Sequence, residues 1–450
     1  MLPIVVIGNG GAAAEAVTAL RASGYAGEIH LFADNDHAPY NPMLGTYLVG
    51  GRLPLERAFP FGDRATFYDA HSVTAHLGDA VAHLDADTRE LATASGETFR
   101  YERCLVATGA RPSVPPVAGL REMLAAGGAG PRRVFTLQTL DDALALKAAV
   151  GALLARGDVG HGDTDKQGAA AQPPRAAVVG ASFAGVKIAE VLHGLGFAVV
   201  LIEREASILP LAAHPEAAHV MEAHLLHEGY ELRLGAALAG VSDSAGGDRL
   251  RLDFGALPGA ADPGGAGGTA CEDSAAQDEA DLLVVCTGNR PALGFLAPGH
   301  VNMGAGILVD EQMRSSAPGL WAAGDVAQGK NILSGRYEVI GLWSSARYQG
   351  RAAGRAMCGA ASGYAGGLPH NITHVGHMLF ASVGCVNDYD EVEVTRPDAA
   401  WQIRLWQEGR LVGMNLVDCC SSAGVVKQAF ARAATGETTA LETTWTSFSG

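Results

Sequence analysis

The sequence predicts an α/β chain of two parallel-sheet domains, closed by a small C-terminal α+β domain. Three observations predict it. A strand, glycine turn, helix and second strand occur twice, at residues 4–34 and 177–203. Short apolar strands running into Thr-Gly or Gly-Asp recur at 101–119, 280–291 and 306–328. From about residue 370 the texture changes, and WQIRLWQEGRLVGMNLV (401–417) reads as two strands turning at Glu408-Gly409, with a helical pattern after it in AGVVKQAFARAA.

The first repeat is IVVIGNGGAAAEAVTALRASGYAGEIHLFAD. Gly8 allows the tight turn, and Gly10, followed by Gly11, lets the backbone approach a pyrophosphate at the positive end of the next helix. Ala13 is small where helix and strand pack. Asp34 ends the second strand, where a carboxylate accepts from ribose hydroxyls. The second repeat is AVVGASFAGVKIAEVLHGLGFAVVLIE. Gly180 and Gly185 keep the ends of the motif, and Ser182 replaces the middle glycine, which crowds a pyrophosphate. Glu203 ends its second strand; an acid there accepts from a 2′-hydroxyl and repels a 2′-phosphate, with Arg204 beside it to soften the preference. One such turn alone is a weak signal, but two in full context specify two Rossmann-like dinucleotide-binding domains. The first is expected at 1–128 and 289–368, the second at 129–288, and the α+β domain at 369–450. Residues 157–174 and 255–279 lack periodicity and are rich in Gly with Pro or Ala. They read as surface insertions without a catalytic role.

Bulk properties narrow the class. A chain of 450 residues with 48% hydrophobic and 18% charged residues builds large cores and is not globally disordered. The net charge of -16 disfavours nucleic acid and anionic membrane as partners. No run of eighteen apolar residues suggests a membrane span. The seven cysteines match neither a zinc site nor a disulfide framework. With no basic n-region before the first apolar run, a cytoplasmic protein is expected.

Ala107-Thr108-Gly109 in YERCLVATGARPSVPPVAG, Thr287-Gly288 in ADLLVVCTGNRP and Gly324-Asp325 in GILVDEQMRSSAPGLWAAGDVAQ complete a pattern. With the paired repeats, they make the chain resemble the FAD-dependent pyridine nucleotide oxidoreductases, within them the ferredoxin-, rubredoxin- and nitrite-reductase-like branch. The resemblance covers nearly the full length, apart from the two insertions. It implies that the first repeat holds the FAD adenosine and pyrophosphate. It places Thr108-Gly109 near FAD and has Asp325 accept from the ribityl–phosphate part. The second repeat would hold NAD(H), NADH being favoured over NADPH by Glu203. The C-terminal domain resembles those that pair subunits in disulfide reductases, so a homodimer and a monomer both fit.

Two departures from that pattern fall at partnered positions. PYNPMLGTYLVGG (39–51) is where relatives keep a lysine near flavin N5, or a redox cysteine. Here Thr46 and Tyr47 stand in that neighbourhood, Met43 is nearest to the cysteine position, and the first cysteine is Cys104, on a later strand. A thioether forms neither a thiolate adduct nor a disulfide. Two residues past Gly185, where relatives have the glutamate that pairs with that lysine, stands Lys187. The expectation is that Lys187 supplies the positive charge from the nucleotide domain; the alternative is a solvated helix lysine. Trp343 is expected beside the flavin or in the core. Cys419-Cys420 read as buried inert thiols, and His370, His374 and His377 as domain-junction residues rather than a metal site.

The expected function is hydride transfer from NADH to flavin, and then electron transfer without a redox cysteine to a small redox protein or a small molecule. The alternative is an FAD-binding structural or regulatory subunit of a larger redox complex, turning over NADH weakly.

Overall fold

The computed structural model describes residues 2–125, 132–158, 172–255, 277–297, 299–360, 363–396 and 400–419, with helical positions at 424, 428 and 430. Residues 159–171 and 256–276, the greater part of the two insertions, and most of AGVVKQAFARAA lie outside the described residues. Gln277–Ala280 is a strand, so regular structure resumes inside the stretch read as the second insertion.

Two parallel five-stranded sheets form the body. In the first, the order is Leu320–Ala322, Arg103–Val106, Ile4–Ile7, Ile29–Ala33 and Val73–Leu77. In the second it is Glu231–Arg233, Ala198–Ile202, Arg175–Val179, Leu282–Val285 and Val134–Thr136. The inner strands read IVVI and RAAVV because both faces of a parallel sheet are covered. Strand 320–322 rejoins the first sheet only after the whole second sheet has formed, so the first domain is discontinuous in sequence. Each parallel sheet carries a three-stranded antiparallel sheet, at 81–100 and at 237–280.

The first domain is closed by two helices, Gly11–Ala22 and Trp343–Met357, at backbone contact. A Cβ added at Gly350 would lie 2.1 Å from the Ala12 carbonyl oxygen, and one at Gly354 would lie 2.4 Å from that of Ala16. Across this seam Glu15, only 5% exposed, accepts from the Arg347 guanidinium, Nε at 2.8 Å, and from Arg351, Nη2 at 2.9 Å. A buried carboxylate is tolerated because both oxygens are met by charged donors.

PYNPMLGTYLVGG folds as a short helical turn, Pro42–Leu44, and one helix, Gly45–Val49. It wedges against the second domain. Gly45 faces Ala143 of helix Leu140–Asp158, and Gly50 faces Val191 of helix Phe183–Gly194, with ideal Cβ distances of 3.5 and 3.2 Å. Val49 is part of the second domain's apolar core.

The C-terminal sheet is antiparallel, in the order 370–375, 378–384, 410–417, 401–407 and 391–395. The expected hairpin is present, with Glu408 and Gly409 at φ 50° and 71°. Phe380, Ile403, Leu405 and Val417 share one core with Ile208, Leu209 and Met221 of the second domain. Asn415, fully buried, accepts from the His214 N–H at 2.7 Å and donates to the Ala212 carbonyl at 2.9 Å. His370 and His374 lie on a strand, not on a helix face, and His377 follows in the turn, its ring 3.5 Å from Glu228 of the second domain.

Gly350→Ala is expected to force the two helices of the first domain apart. Overpacking of this kind costs ~1–3 kcal/mol, more than the ~1 kcal/mol helix-propensity gain returns. Thermal unfolding should show a lower midpoint, and the purified protein should retain less flavin; an unchanged midpoint would mean that the seam is not close-packed.

Candidate functional site

Strand Ile4–Ile7 ends at Gly8, whose φ is +113° and whose ideal Cβ would sit 2.1 Å from the Ala107 carbonyl oxygen. Only glycine lets the ends of these two adjacent strands meet. Gly10 then caps helix Gly11–Ala22 with no side-chain hydrogen bond, and a Cβ there would meet nothing within 4 Å. The first N–H groups of the helix are left facing open space, a ready anion site. Gly11 is pressed under the Trp343 ring, 2.7 Å from an added Cβ. Asn9 fixes the turn, accepting from the Tyr68 hydroxyl at 2.9 Å and donating to the His37 carbonyl at 2.8 Å.

The open space is a cavity of about 860 Å³. Gly8, Gly10, Gly11 and Asp34 form one part of its wall, and Ala107, Thr108 and Gly109 another. Gly324, Asp325 and Trp343 complete it, with Pro42 and Met43 beside them. Ala13 is not on the wall; it is fully buried between helix and sheet. Thr46 lies on helix Gly45–Val49, outside the lining residues.

Two residues that the sequence reading left out, Arg111 and Arg290, also shape the cavity, together with Met43. Arg111 lines it and donates from Nη2 to Asp34 Oδ2 at 2.8 Å. Arg290 lines it opposite Arg111 on the paired strands Ala110–Pro112 and Asn289–Pro291. Met43 is 63% exposed on its rim. The signal for the arginines was the recurrence of Gly-x-Arg-Pro after each Thr-Gly.

Asp325 is the cavity's buried acid. Burial pushes its carboxyl up to about 6, and no hydrogen bond from the described residues offsets this. An acceptor desolvated against a cavity and short of donors fits a ligand rich in hydroxyls. The glycine turn, uncapped helix and unmet carboxylate together fit the pyrophosphate and ribityl groups of FAD.

The second turn is built alike but finished differently. Gly180 has φ +97°, with an added Cβ 2.4 Å from the Cys286 carbonyl oxygen, and Gly185 packs on the Gly180 carbonyl. Ser182 was expected to crowd a pyrophosphate. Its hydroxyl is instead turned into the protein, donating to the Cys286 carbonyl at 3.0 Å and accepting from the Gly185 N–H at 3.4 Å, so it caps the helix. Glu203 is 9% exposed, and its carboxylate accepts from the Ala181 N–H at 2.7 Å and the Glu205 N–H at 3.1 Å. Gly288, at φ +91°, follows Thr287, whose hydroxyl donates to the Ser113 carbonyl at 2.5 Å.

Lys187 lies between the domains, outside the lining residues of the cavity. Its ammonium is 2.9 Å from Glu190 Oε2 and 5.6 Å from the centroid of the Tyr47 ring, and both charged side chains are 14% exposed. Tyr47 is one helical turn beyond Met43. Among the described residues, no cysteine lines the cavity. Cys104 and Cys286 are buried, and burial pushes the Cys286 thiol up to about 12. Cys419 is half-buried with its thiol raised to about 11 by burial; Cys420 lies outside the described residues. Among the described residues one group has metal-ligand chemistry, Asp85, Asp87 and His300, on the outer antiparallel sheet. There Asp85 already accepts from the Asp87 and Thr88 N–H groups as a turn cap.

Comparison with known proteins agrees with this geometry. Residues 2–350 match the family described as pyridine nucleotide-disulphide oxidoreductase. The chain is 30% identical over 382 residues to the NADH-dependent phenylglyoxylate dehydrogenase subunit epsilon of Aromatoleum evansii, covering 84% of this chain and 78% of that one. It is 23% identical over 429 residues to the rubredoxin-NAD(+) reductase of Pseudomonas putida, covering 94% and 98%. The crystal structure of the covalent putidaredoxin reductase–putidaredoxin complex shares its fold, with a TM-score of 0.78 at 22% identity, over 95% of this chain and 92% of that one.

A carboxyl whose pKa is raised on folding opposes folding wherever it is ionised. For Asp325 this penalty is absent below the ordinary value of 3.8 and complete above about 6. Asp325→Asn should therefore stabilise the flavin-free protein relative to wild type as pH rises through this window, by up to about 3 kcal/mol. It should weaken FAD retention about tenfold or more at pH 8 through loss of charge-assisted hydrogen bonds. Denaturant titrations at several pH values and flavin-release fluorescence check the two effects separately.

Proposed function

The chain belongs to the pyridine nucleotide-disulphide oxidoreductase family and is an FAD-dependent NAD(P)H oxidoreductase, and from that premise we propose that it passes electrons between NADH and a redox protein without a redox cysteine. The observation that carries this reading is the cavity wall, where Met43 and Trp343 stand and, among the described residues, no cysteine does. Bound FAD would supply the acceptor for hydride from the nicotinamide and the route by which electrons leave.

The chain's own residues hold and align the partners. The N–H groups after Gly10 would hold the FAD pyrophosphate, Asp34 and Arg111 would hold the adenosine part, and Asp325 would accept from the ribityl–phosphate part. Trp343, fixed over Gly11, forms a flat apolar wall that excludes water. The second domain holds NADH at the turn Gly180–Gly185. The Glu203 carboxylate, held by two backbone N–H groups at the end of its strand, disfavours the 2′-phosphate of NADPH. Lys187, ion-paired with Glu190 beside Tyr47, offsets the Glu190 carboxylate at the domain junction, so that no unpaired negative charge there opposes the electron-rich form of the flavin.

The likeness to a dehydrogenase subunit epsilon favours a second arrangement, in which the same chemistry serves a stable multi-subunit complex.

Anaerobic mixing with NADH tests the reading. Flavin absorbance should bleach rapidly and stoichiometrically, faster with NADH than with NADPH; negligible bleaching would favour a structural subunit. Lys187→Ala should slow bleaching and lower the flavin potential. An unchanged rate and potential would remove Lys187 from the mechanism.

A further inference from the structure

Gln349 is an amide buried in the seam between the two closing helices. It lies on Trp343–Met357 between Arg347 and Arg351, the two residues that Glu15 takes, and next to Gly350, which packs on the Ala12 backbone. It is 1% exposed. A buried amide costs stability unless its polar atoms are answered. Its Oε1 accepts from the Gly324 N–H at 2.8 Å. The other end of the amide is boxed in: a Cβ added at Gly329 would lie 2.8 Å from Gln349 Nε2 and 3.1 Å from Tyr364 Cε1. The oxygen is therefore held on Gly324.

Gly324 needs such a partner. Its φ is +83°, and an added Cβ would lie 3.3 Å from the Ala12 Cβ and 3.6 Å from the Ala346 Cβ. Glycine fits between the two helices, but its own sterics fix the direction of the next residue only weakly. Both of its polar groups are pinned instead. The carbonyl accepts from the Ala327 N–H at 2.9 Å, and the N–H goes to Gln349. The next residue is Asp325, whose Oδ2 is 3.7 Å from an ideal Cβ on Gly341. Asp325 and Gly341 both line the cavity. Among the described residues, Gln349 is the one side chain hydrogen-bonded to the Gly324-Asp325 turn.

Resting on the FAD reading above, we propose that Gln349 is a positioning residue for the flavin site: by holding the Gly324 N–H it aims the Asp325 carboxylate into the cavity, where ribityl hydroxyls would donate to it. Hydrogen bonds weaken steeply when misaligned, and those to a carboxylate are the strong ones, so the aim of this group governs how tightly FAD is held. A seam residue outside the cavity lining thus acts on the ligand through one backbone N–H.

The test is a double-mutant cycle on FAD affinity, read by flavin fluorescence on dilution of the holoprotein at pH 8. Gln349→Met keeps the length of the side chain and removes the acceptor. It should raise the Kd for FAD about tenfold in the otherwise wild-type protein, and by less than about threefold in the Asp325→Asn background, where the carboxylate it aims is already gone. The thermal midpoint of each variant is measured alongside. If Gln349→Met does not fold, Gln349→Asn, whose amide falls one methylene short of the Gly324 N–H, carries the same cycle. Equal losses in both backgrounds would overturn the inference and leave Gln349 as a packing residue of the seam. An unchanged Kd in the otherwise wild-type protein would overturn it too. If Asp325→Asn alone binds FAD as tightly as wild type, the reading of Asp325 as a flavin ligand fails, and this inference with it.

Discussion

The close approach of helices Gly11–Ala22 and Trp343–Met357 is the constraint on which the rest of the structure depends. One helix brings its uncapped N-terminus to the cavity, the other brings Trp343, and their relative position sets the depth of the wall between them. Gly350 and Gly354 allow backbone contact, and Glu15 locks the register by taking both Arg347 and Arg351. Small residues alone would permit sliding along the seam. A buried carboxylate shared by two guanidinium groups has one good geometry, which gives the pair specificity more than stability.

The two glycine turns show how one local design serves two purposes. Both use a glycine in the left-handed region to bring adjacent strand ends together. The first leaves its helix uncapped, so its orphan donors await an anionic group. In the second, Ser182 satisfies one donor internally, and Glu203 takes the Ala181 N–H. The first helix end is thus left open to the cavity, and the second is closed by the protein's own groups.

The parallel sheets, the paired turns and the C-terminal hairpin were legible in the sequence because each rests on local chemistry. Apolar runs buried on both faces, glycines needed at positive φ and a Glu-Gly turn all leave a mark within a few residues. The cavity acids Asp34 and Asp325 were legible for the same reason, since Asp34 directly follows a strand end and Asp325 follows one after Ala323-Gly324. What was not legible depends on long-range pairing. Nothing near Asp34 names Arg111, and nothing near Lys187 says that Glu190, one turn away, would take its charge while Tyr47 comes from another domain. The capping role of Ser182 was not visible, because the Cys286 carbonyl that takes its hydroxyl is over a hundred residues away. The role of PYNPMLGTYLVGG was hidden likewise, since Gly45 and Gly50 are answered by Ala143 and Val191 of the second domain.

The C-terminal sheet shares its apolar core with the nucleotide domain and is pinned there by Asn415. As a unit of inheritance and of engineering, the nucleotide module is therefore not the contiguous stretch that its strand order suggests. An exchange of cofactor preference by domain grafting would need residues 375–417 to travel with the central segment. A graft cut at the sequence boundaries would expose Ile208, Leu209 and Phe380 on both sides of the cut.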